Sequence, residues 1–391
     1  MMNNFFTDIG TKSLNKFGEE LCGDTVEIVE NENGEVVIVL TDGLGSGVKA
    51  SILSILTAKI ISTMVSASMD IEDCLSAIVA TLPVCEVRKI AYSTFTIIRI
   101  LNSEEAEIIQ YDNPRVIFMR KGKALNLHET SMVIEGKTIY KSRIPLIEND
   151  IFVAVSDGVI HAGVGKTLSF GWQRPDVIKY LEQKYSPKLT AKALATVLVE
   201  SCNELYENEP GDDTTACVVK IRVRRFANLL IGPPSDASDL SDMMTRFFSE
   251  YGKHIVCGGT TSKLAADHLG RHLKTSLDYI DPAIPPLAKI EGVDLVTEGI
   301  VTISRVLFYT QDYLSDNKHY RTWANQRDAA SLISRMLIEE ATDINFFVGM
   351  AVNPAHQNPD LPIGFSIKMR LIEELSDSLK KMGKRINVNY F

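Results

Sequence analysis

The chain has no CxxC pair and no Cys/His spacing suited to zinc. Its six cysteines, Cys22, Cys74, Cys85, Cys202, Cys217 and Cys257, lie scattered and single. That usage excludes a disulfide framework and fits buried thiols in a reducing compartment. The chain also lacks an excess of positive charge. Against 41 Lys and Arg stand 50 Asp and Glu, a formal net charge of -9, which argues against nonspecific nucleic-acid binding. An anionic substrate would need the help of a cation. The first residues, Met1 to Asp8, have neither the basic head nor the apolar run of a signal peptide. The most apolar helical stretch, Ser51 to Ser68, is interrupted by Lys59 and several hydroxyl residues and reads as too polar and too short for a membrane span. The expectation is a cytoplasmic protein with no nucleic-acid and no membrane partner. No internal repeat or low-complexity tract is visible.

What is present is the balance of a globular protein: 391 residues, 45% apolar and 23% charged, enough for two or three domains. One stretch organises the first of them. Asn33-Gly34 tolerates the positive φ of a primed turn, and β-branched residues flank it on both sides. Folding the arms about this turn sets Asp24 opposite Asp42. Paired strands hold opposite residues close, so the two carboxylates repel unless a cation or proton lies between them.

Strands are expected at 92–100, 106–111, 116–119, 139–143, 150–155 and 214–223. Helices are expected after Gly47, over 71–82 with an end at Pro83, around 176–184 and over 190–206. Residues 1 to about 22 show little pattern. Strand-rich sequence with paired helices predicts α+β with layered sheets. After Arg222-Val223-Arg224-Arg225 the texture changes. Short apolar runs at 227–231, 254–257, 293–297, 345–352 and 386–390 alternate with helical segments, which predicts a doubly wound, mainly parallel sheet. The expected domains are 1–225 and 226–391.

Four places in the first domain put an aspartate at a strand end: Asp24, Asp42, Asp157, and Asp212 or Asp213. Mg²⁺ and Mn²⁺ prefer carboxylate, carbonyl and water oxygens. Strand-end aspartates converging from neighbouring strands supply them, and two ions sharing a carboxylate can activate water and neutralise a phosphoryl group. Gly23-Asp24, Asp42-Gly43-Leu44-Gly45-Ser46-Gly47, Ser156-Asp157-Gly158 and Gly211-Asp212-Asp213-Thr214-Thr215 occur in the order and spacing of the metal-dependent 2C-type protein phosphatases. Over about residues 8 to 224 the chain resembles the stage II sporulation protein E branch of bacterial serine phosphatases.

The resemblance implies an α-β-β-α sandwich and hydrolysis of phosphoserine or phosphothreonine by water activated between two Mn²⁺ or Mg²⁺ ions, without a phosphoenzyme. It implies Asp42 as the bridging ligand and the Gly43 carbonyl, Asp24, Asp157 and Asp212 as further ligands, with Asp42 and Asp157 the catalytic pair. Asp213, where many relatives carry Asn, takes a supporting role; Asp212 and Asp213 could exchange roles. The implied partner is a phosphorylated protein of the anti-sigma-factor antagonist type. Ser46 departs from the branch's usual turn, and no phosphate-binding Arg is placed; Lys12 and Lys16 are candidates. His161 is a candidate proton donor, with an ordinary loop histidine the stronger reading. The helix after Gly47 resembles an element that switches such enzymes on, although its apolar face also reads as plain core.

The resemblance does not reach the second domain. There Gly258-Gly259-Thr260-Thr261 lies between strand and helix, where free N–H groups and the helix dipole favour an anion. Gly232-Pro233-Pro234-Ser235-Asp236 and Thr297-Glu298-Gly299 also follow strands. Ligands of open α/β sheets bind beyond the strands' carboxyl ends, so these loops could line one cleft for a small anionic ligand or nucleotide that regulates the phosphatase. A homodimerisation module is the competing reading. For the whole chain the alternatives are a catalytically idle scaffold or sensor, and a phosphatase of a small phosphorylated metabolite.

Overall fold

The computed structural model describes residues 5–31, 34–81, 93–134, 136–275, 280–315, 317–351 and 363–391. Asn33, Cys85, Tyr92, Val352 and the expected helix end at Pro83 fall outside them. The chain divides into two compact units, Met1–Val223 and Arg224–Phe391.

The first unit contains two antiparallel sheets. One runs, in spatial order, β1 (Phe5–Leu14), β11 (Thr214–Val223), β10 (Ile151–Val155), β6 (Ile117–Arg120) and β7 (Lys123–Leu125). The other runs β2 (Asp24–Glu30), β3 (Val36–Gly43), β4 (Ser93–Leu101), β5 (Glu105–Tyr111), β9 (Lys137–Pro145) and β8 (Thr130–Ile134). Alternate residues of a strand face opposite sides. Ile38 and Leu40 of β3 therefore meet Phe118, Phe152 and Val219 between the sheets, where the rings of Phe118 and Phe152 stack at 5.0 Å. Val37 and Val39 point the other way, into a layer with Ala58, Ile61, Val65 and Ile78 from α1 (Gly47–Ser66) and α2 (Ile71–Thr81). On the outer face of the other sheet, Val153 and Val155 pack with Leu181, Leu194 and Leu198 of α4 (Arg174–Lys184) and α5 (Ala191–Leu205). The result is an α-β-β-α sandwich. Because both faces of β3 and β10 are covered, they read as unbroken apolar runs.

Two sequence expectations are corrected. Residues 5–14 form a full strand, β1, although they looked patternless. Its inward positions are Phe6, Asp8 and Gly10, so the alternation is hidden by one carboxylate and one glycine. Gly10 is required there: a Cβ would lie 2.0 Å from the Lys192 backbone nitrogen as α5 crosses β1. The helix after the glycine-rich turn runs Gly47–Ser66, and by length and composition it is apolar enough to cross a membrane, contrary to the sequence reading. In the fold Ala50, Ser54, Ala58, Ile61 and Val65 of α1 are buried.

The second unit is built on a seven-stranded sheet. β16 (Leu295–Thr297), β13 (Lys253–Cys257), β12 (Phe226–Ile231), β17 (Asp343–Val348) and β18 (Arg385–Tyr390) are parallel neighbours in that order. The antiparallel pair β14 (Lys274–Thr275) and β15 (Ala288–Lys289) extends the β16 edge. One face packs Leu229, Ile255 and Phe346 against Ile303, Trp323, Ile333 and Leu375, carried by α8 (Ile300–Leu314), α9 (Tyr320–Asn325), α10 (Ala329–Ser334) and α11 (Ile363–Lys381). The other packs Leu230, Val256 and Phe347 against Met243, Phe247 and Ala265 of α6 (Leu240–Ser249) and α7 (Gly259–Leu269). This is a doubly wound sheet. Sequence reading did not separate α9, α10 and the π-helical turn Arg335–Glu340 that follows.

Candidate active site

The site grows from the β2–β3 register. Asp24 pairs with Asp42 across the two strands, and the Gly43 N–H donates to the Gly23 carbonyl at 3.1 Å. Both strands end at the same edge of the sandwich, and the opposite sheet delivers its acids there. Asp157 opens the single turn α3 (Asp157–Ile160) directly after β10. Asp212 and Asp213 precede β11, which pairs with β10. The Ser156 hydroxyl ties the two approaches together: it accepts from the Thr215 N–H at 2.9 Å and donates to the Asp213 carbonyl at 3.5 Å.

Glycines permit the convergence. A Cβ on Gly23 would sit 2.7 Å from Asp213 Oδ2, one on Gly158 2.2 Å from the Asp213 carbonyl oxygen, and one on Gly43 2.2 Å from the Ala50 carbonyl. Asp-Gly and Gly-Asp steps thus mark places where only a hydrogen fits.

The electrostatics follow from crowding. Burial pushes the Asp42 carboxyl up to about 9, and the charges of Asp24, Asp157, Asp212 and Asp213 push the same way. Asp24 rises to about 7, mainly by burial, and the charges of Asp213 and Asp157 add to the rise. Asp212 is raised by burial and by Asp157, while the Lys16 ammonium pulls it down. Five aspartates therefore sense one another across one small volume.

Divalent ions suit the oxygens present. Among the described residues, both carboxylate oxygens of Asp24 and Oδ2 of Asp213 are buried without a hydrogen-bond partner, an arrangement that is costly unless protons or cations supply the missing interaction. Asp213 Oδ1 accepts from the Lys16 N–H at 3.0 Å, and Asp212 Oδ1 accepts from the Asp213 N–H at 3.0 Å. Among the described residues, no three His, Cys, Asp or Glu side chains already stand in the geometry of a closed metal shell. The carboxylates gather at one edge of the sandwich without closing to ligand distances.

The structure also places residues to which the sequence assigned little. Glu19 sits at the glycine-rich turn, accepting from the Ser46 hydroxyl at 3.2 Å, and a Cβ on Gly47 would lie 2.4 Å from its Oε2. It lends negative charge to the start of α1; no local pattern signals a partner so far away in sequence. The Tyr206 hydroxyl donates to the Gly158 carbonyl at 2.8 Å, steadying the turn after Asp157. His161 is exposed at the end of α3. Asn113 of the Asp112-Asn113-Pro114 turn accepts from Thr94 Oγ1 at 2.6 Å, and Thr94 pairs with Asp42. In the second unit Gly258 precedes α7, whose first residues include Gly259, Thr260 and Thr261. A cavity of about 350 Å³ there, lined among others by Lys274, Ile284 and Pro286, shares no residue with these loops.

Residues 32–222 match the family model for stage II sporulation protein E. Among solved structures, the chain is similar to the phosphatase domain of the cell fate determinant SpoIIE from Bacillus subtilis, at 17% identity over 56% of this chain and 94% of that one, TM-score 0.44. It is similar to the RsbU and RsbW domains of a Mycobacterium tuberculosis protein, at 15% identity over 61% and 68%, TM-score 0.47. A third is RsbX in complex with magnesium, at 19% identity over 56% and 96%, TM-score 0.39. Curated protein sequences give no match.

Proposed function

We propose, from the match of residues 32–222 to the family model for stage II sporulation protein E, that the first unit hydrolyses phosphoserine and phosphothreonine on a signalling protein, with two Mn²⁺ or Mg²⁺ ions. The observation that carries the proposal is the knot of five aspartates, whose mutual repulsion and unpartnered oxygens call for cations. Asp42, nearest in effect to the other four, would bridge the ions, with Asp24, Asp157, Asp212 and the Gly43 carbonyl completing the set. Such ions, when bound, activate water and neutralise phosphoryl charge.

The chain's own residues do the rest. The β2–β3 ladder fixes Asp24 against Asp42. Ser156 and Tyr206 hold the turn that carries Asp157, and the Lys16 backbone orients Asp213. The ammonium of Lys16, close enough to oppose the burial-driven rise of Asp212, would be a cation available to an incoming phosphate. In the proposed context the substrate is a phosphorylated anti-sigma-factor antagonist in the cytoplasm, and the second unit regulates the first by binding a small anionic ligand.

The test is turnover of an aryl phosphate and of a phosphoserine peptide by the full chain with Mn²⁺, with chelator, and with Asp157→Asn. Turnover that needs Mn²⁺ and falls at least about a hundredfold in the variant is expected, the loss of an electrostatic contact at the reacting group. Equal rates with chelator would refute metal catalysis. Turnover confined to small phosphorylated metabolites would refute the protein substrate, and none under any condition would leave an idle scaffold.

A further inference from the structure

Counted along the chain, the five parallel strands of the second unit stand in the order 3-2-1-4-5, and the order reverses between β12 and β17. Loops leaving the carboxyl ends of the strands part at such a reversal, and the crevice between them is where ligands of open α/β sheets bind. Here the rim is built with close tolerances. Gly232, just after β12 and at φ +81, donates its N–H to Thr261 Oγ1 in the first turn of α7 at 3.0 Å. On its other side a Cβ would lie 2.8 Å from Lys368 Nζ and 2.9 Å from the Gly349 carbonyl oxygen that follows β17. One glycine therefore separates the start of α7 from the Lys368 ammonium.

A second helix begins beside the first. Gly258 and Gly299, the residues just before α7 and α8, touch: a Cβ on Gly299 would be 3.6 Å from Gly258 Cα, and the Gly258 N–H donates to the Thr297 carbonyl at 2.8 Å. Neither helix has a side-chain cap or an acidic residue in its first turn. Thr302 Oγ1, in the first turn of α8, is buried with no hydrogen-bond partner among the described residues.

Lys368 is an independent sign of a ligand. It is 8% exposed, and among the described residues its ammonium donates to backbone carbonyls, those of Gly349 and, at 3.4 Å, Ala351. Burial lowers its pKa, and no carboxylate of the described residues pairs with it. A buried ammonium without a counter-charge among these residues is a costly arrangement that an anion relieves. The carboxylate of Glu298 stands at the same edge, 3.6 Å from the position of a Cβ on Gly259. Its charge opposes a bare anion beside it but accepts hydrogen bonds from hydroxyls.

We propose that this crevice binds a phosphorylated, hydroxyl-bearing small molecule, a nucleotide or a sugar phosphate, with its phosphate at the rim formed by Lys368, Gly232 and the first turn of α7 and a hydroxyl on Glu298. The proposal deepens the reading of the second unit as a ligand-binding module and is independent of the phosphatase site.

The test is equilibrium binding to the full chain in chelator, with ADP, glucose 6-phosphate and inorganic phosphate as probes. Binding of ADP or glucose 6-phosphate, with inorganic phosphate weaker, is expected, and whichever binds identifies the source of the phosphate. Lys368→Met should weaken binding about tenfold or more. Because Lys368 is buried, a second variant guards against misfolding: Gly259→Asp. Position 259 has no positive φ and only Glu298 near its Cβ, and an acid in a first turn favours the helix while repelling phosphate. It should fold like the wild type and bind about tenfold less tightly or worse. Glu298→Gln should narrow the gap between ADP or sugar phosphate and inorganic phosphate. The site is overturned if none of the probes binds at millimolar concentration, or if Gly259→Asp binds as the wild type does. Binding that leaves phosphatase turnover unchanged removes the regulatory reading while the site stands.

Discussion

In the metal-free protein, Asp42→Asn should raise thermal stability at pH 8, although it deletes a residue central to the proposed site. The folded chain holds a proton on Asp42 up to about pH 9 and on Asp24 up to about 7, against an ordinary value of 3.8 for both. Between 3.8 and those limits the folded state binds more protons than the unfolded one, so stability falls as pH rises. Each pH unit of one extra bound proton costs about 1.4 kcal/mol. From pH 4 to 7 one such carboxyl alone would cost about 4 kcal/mol. That figure holds for a rigid cluster; because the two share the same repulsion and the cluster relaxes as it charges, each costs less than that, and the pair together should cost about 2–4 kcal/mol. For a unit of this size that is a fall in Tm of about 5–12 °C.

The assay is thermal unfolding in chelator at pH 5 and pH 8, repeated with Mn²⁺. Wild type should lose Tm between the two pH values in chelator. Mn²⁺ should restore it, and by more at pH 8, where fewer protons compete for the ligands. Asp42→Asn should show a flatter pH response in chelator and little gain from Mn²⁺. A wild-type Tm in chelator that rises from pH 5 to pH 8 would refute the reasoning, as would an Asp42→Asn protein less stable than wild type at pH 8.

Three further outcomes are expected. Gly10→Ala should destabilise the first unit by about 3 kcal/mol or more, because its Cβ would meet the α5 backbone and neither partner can yield; chemical denaturation reads this directly. Phe152→Ala should cost about 3–5 kcal/mol in the same assay, since the ring is wholly buried between the sheets. Cys22 should resist alkylation: burial, with Asp24 and Asp213 adding to it, pushes its thiol up to about 12, so its rate at pH 7.5 should be roughly a thousandfold below that of a free thiol. Peptide mapping after iodoacetamide treatment would show this, and labelling as fast as that of a free cysteine would contradict it.

The sequence by itself determined which acids stand at the strand ends of the first unit. Asp24 stands opposite Asp42 because hairpin register follows from strand pairing about a turn, a local relation. Asp157 and the Asp212-Asp213 pair were legible because an acid beside glycine at the end of an apolar run is a local pattern. The β-branched runs of β3, β4, β10 and β11 announced themselves for the same reason. Strand β1 did not, since its inward positions include Asp8 and Gly10, whose fitness depends on α5, far along the chain.

Only the tertiary structure decided how crowded the aspartates are. The raised pKa of Asp42 comes from burial and from charges on three other segments, those of Asp24, Asp157 and the Asp212-Asp213 pair, which no single stretch records. The same holds for Glu19 at the start of α1 and for Tyr206 behind Gly158. In the second unit the glycine loops were visible, but Lys368 was one lysine among many. It acquires meaning because packing brings its ammonium, carried by α11, next to Gly232 just after β12 and buries it there. Local pattern sets which groups stand at strand ends; long-range packing sets which of them are desolvated together, and desolvation gives them their chemistry.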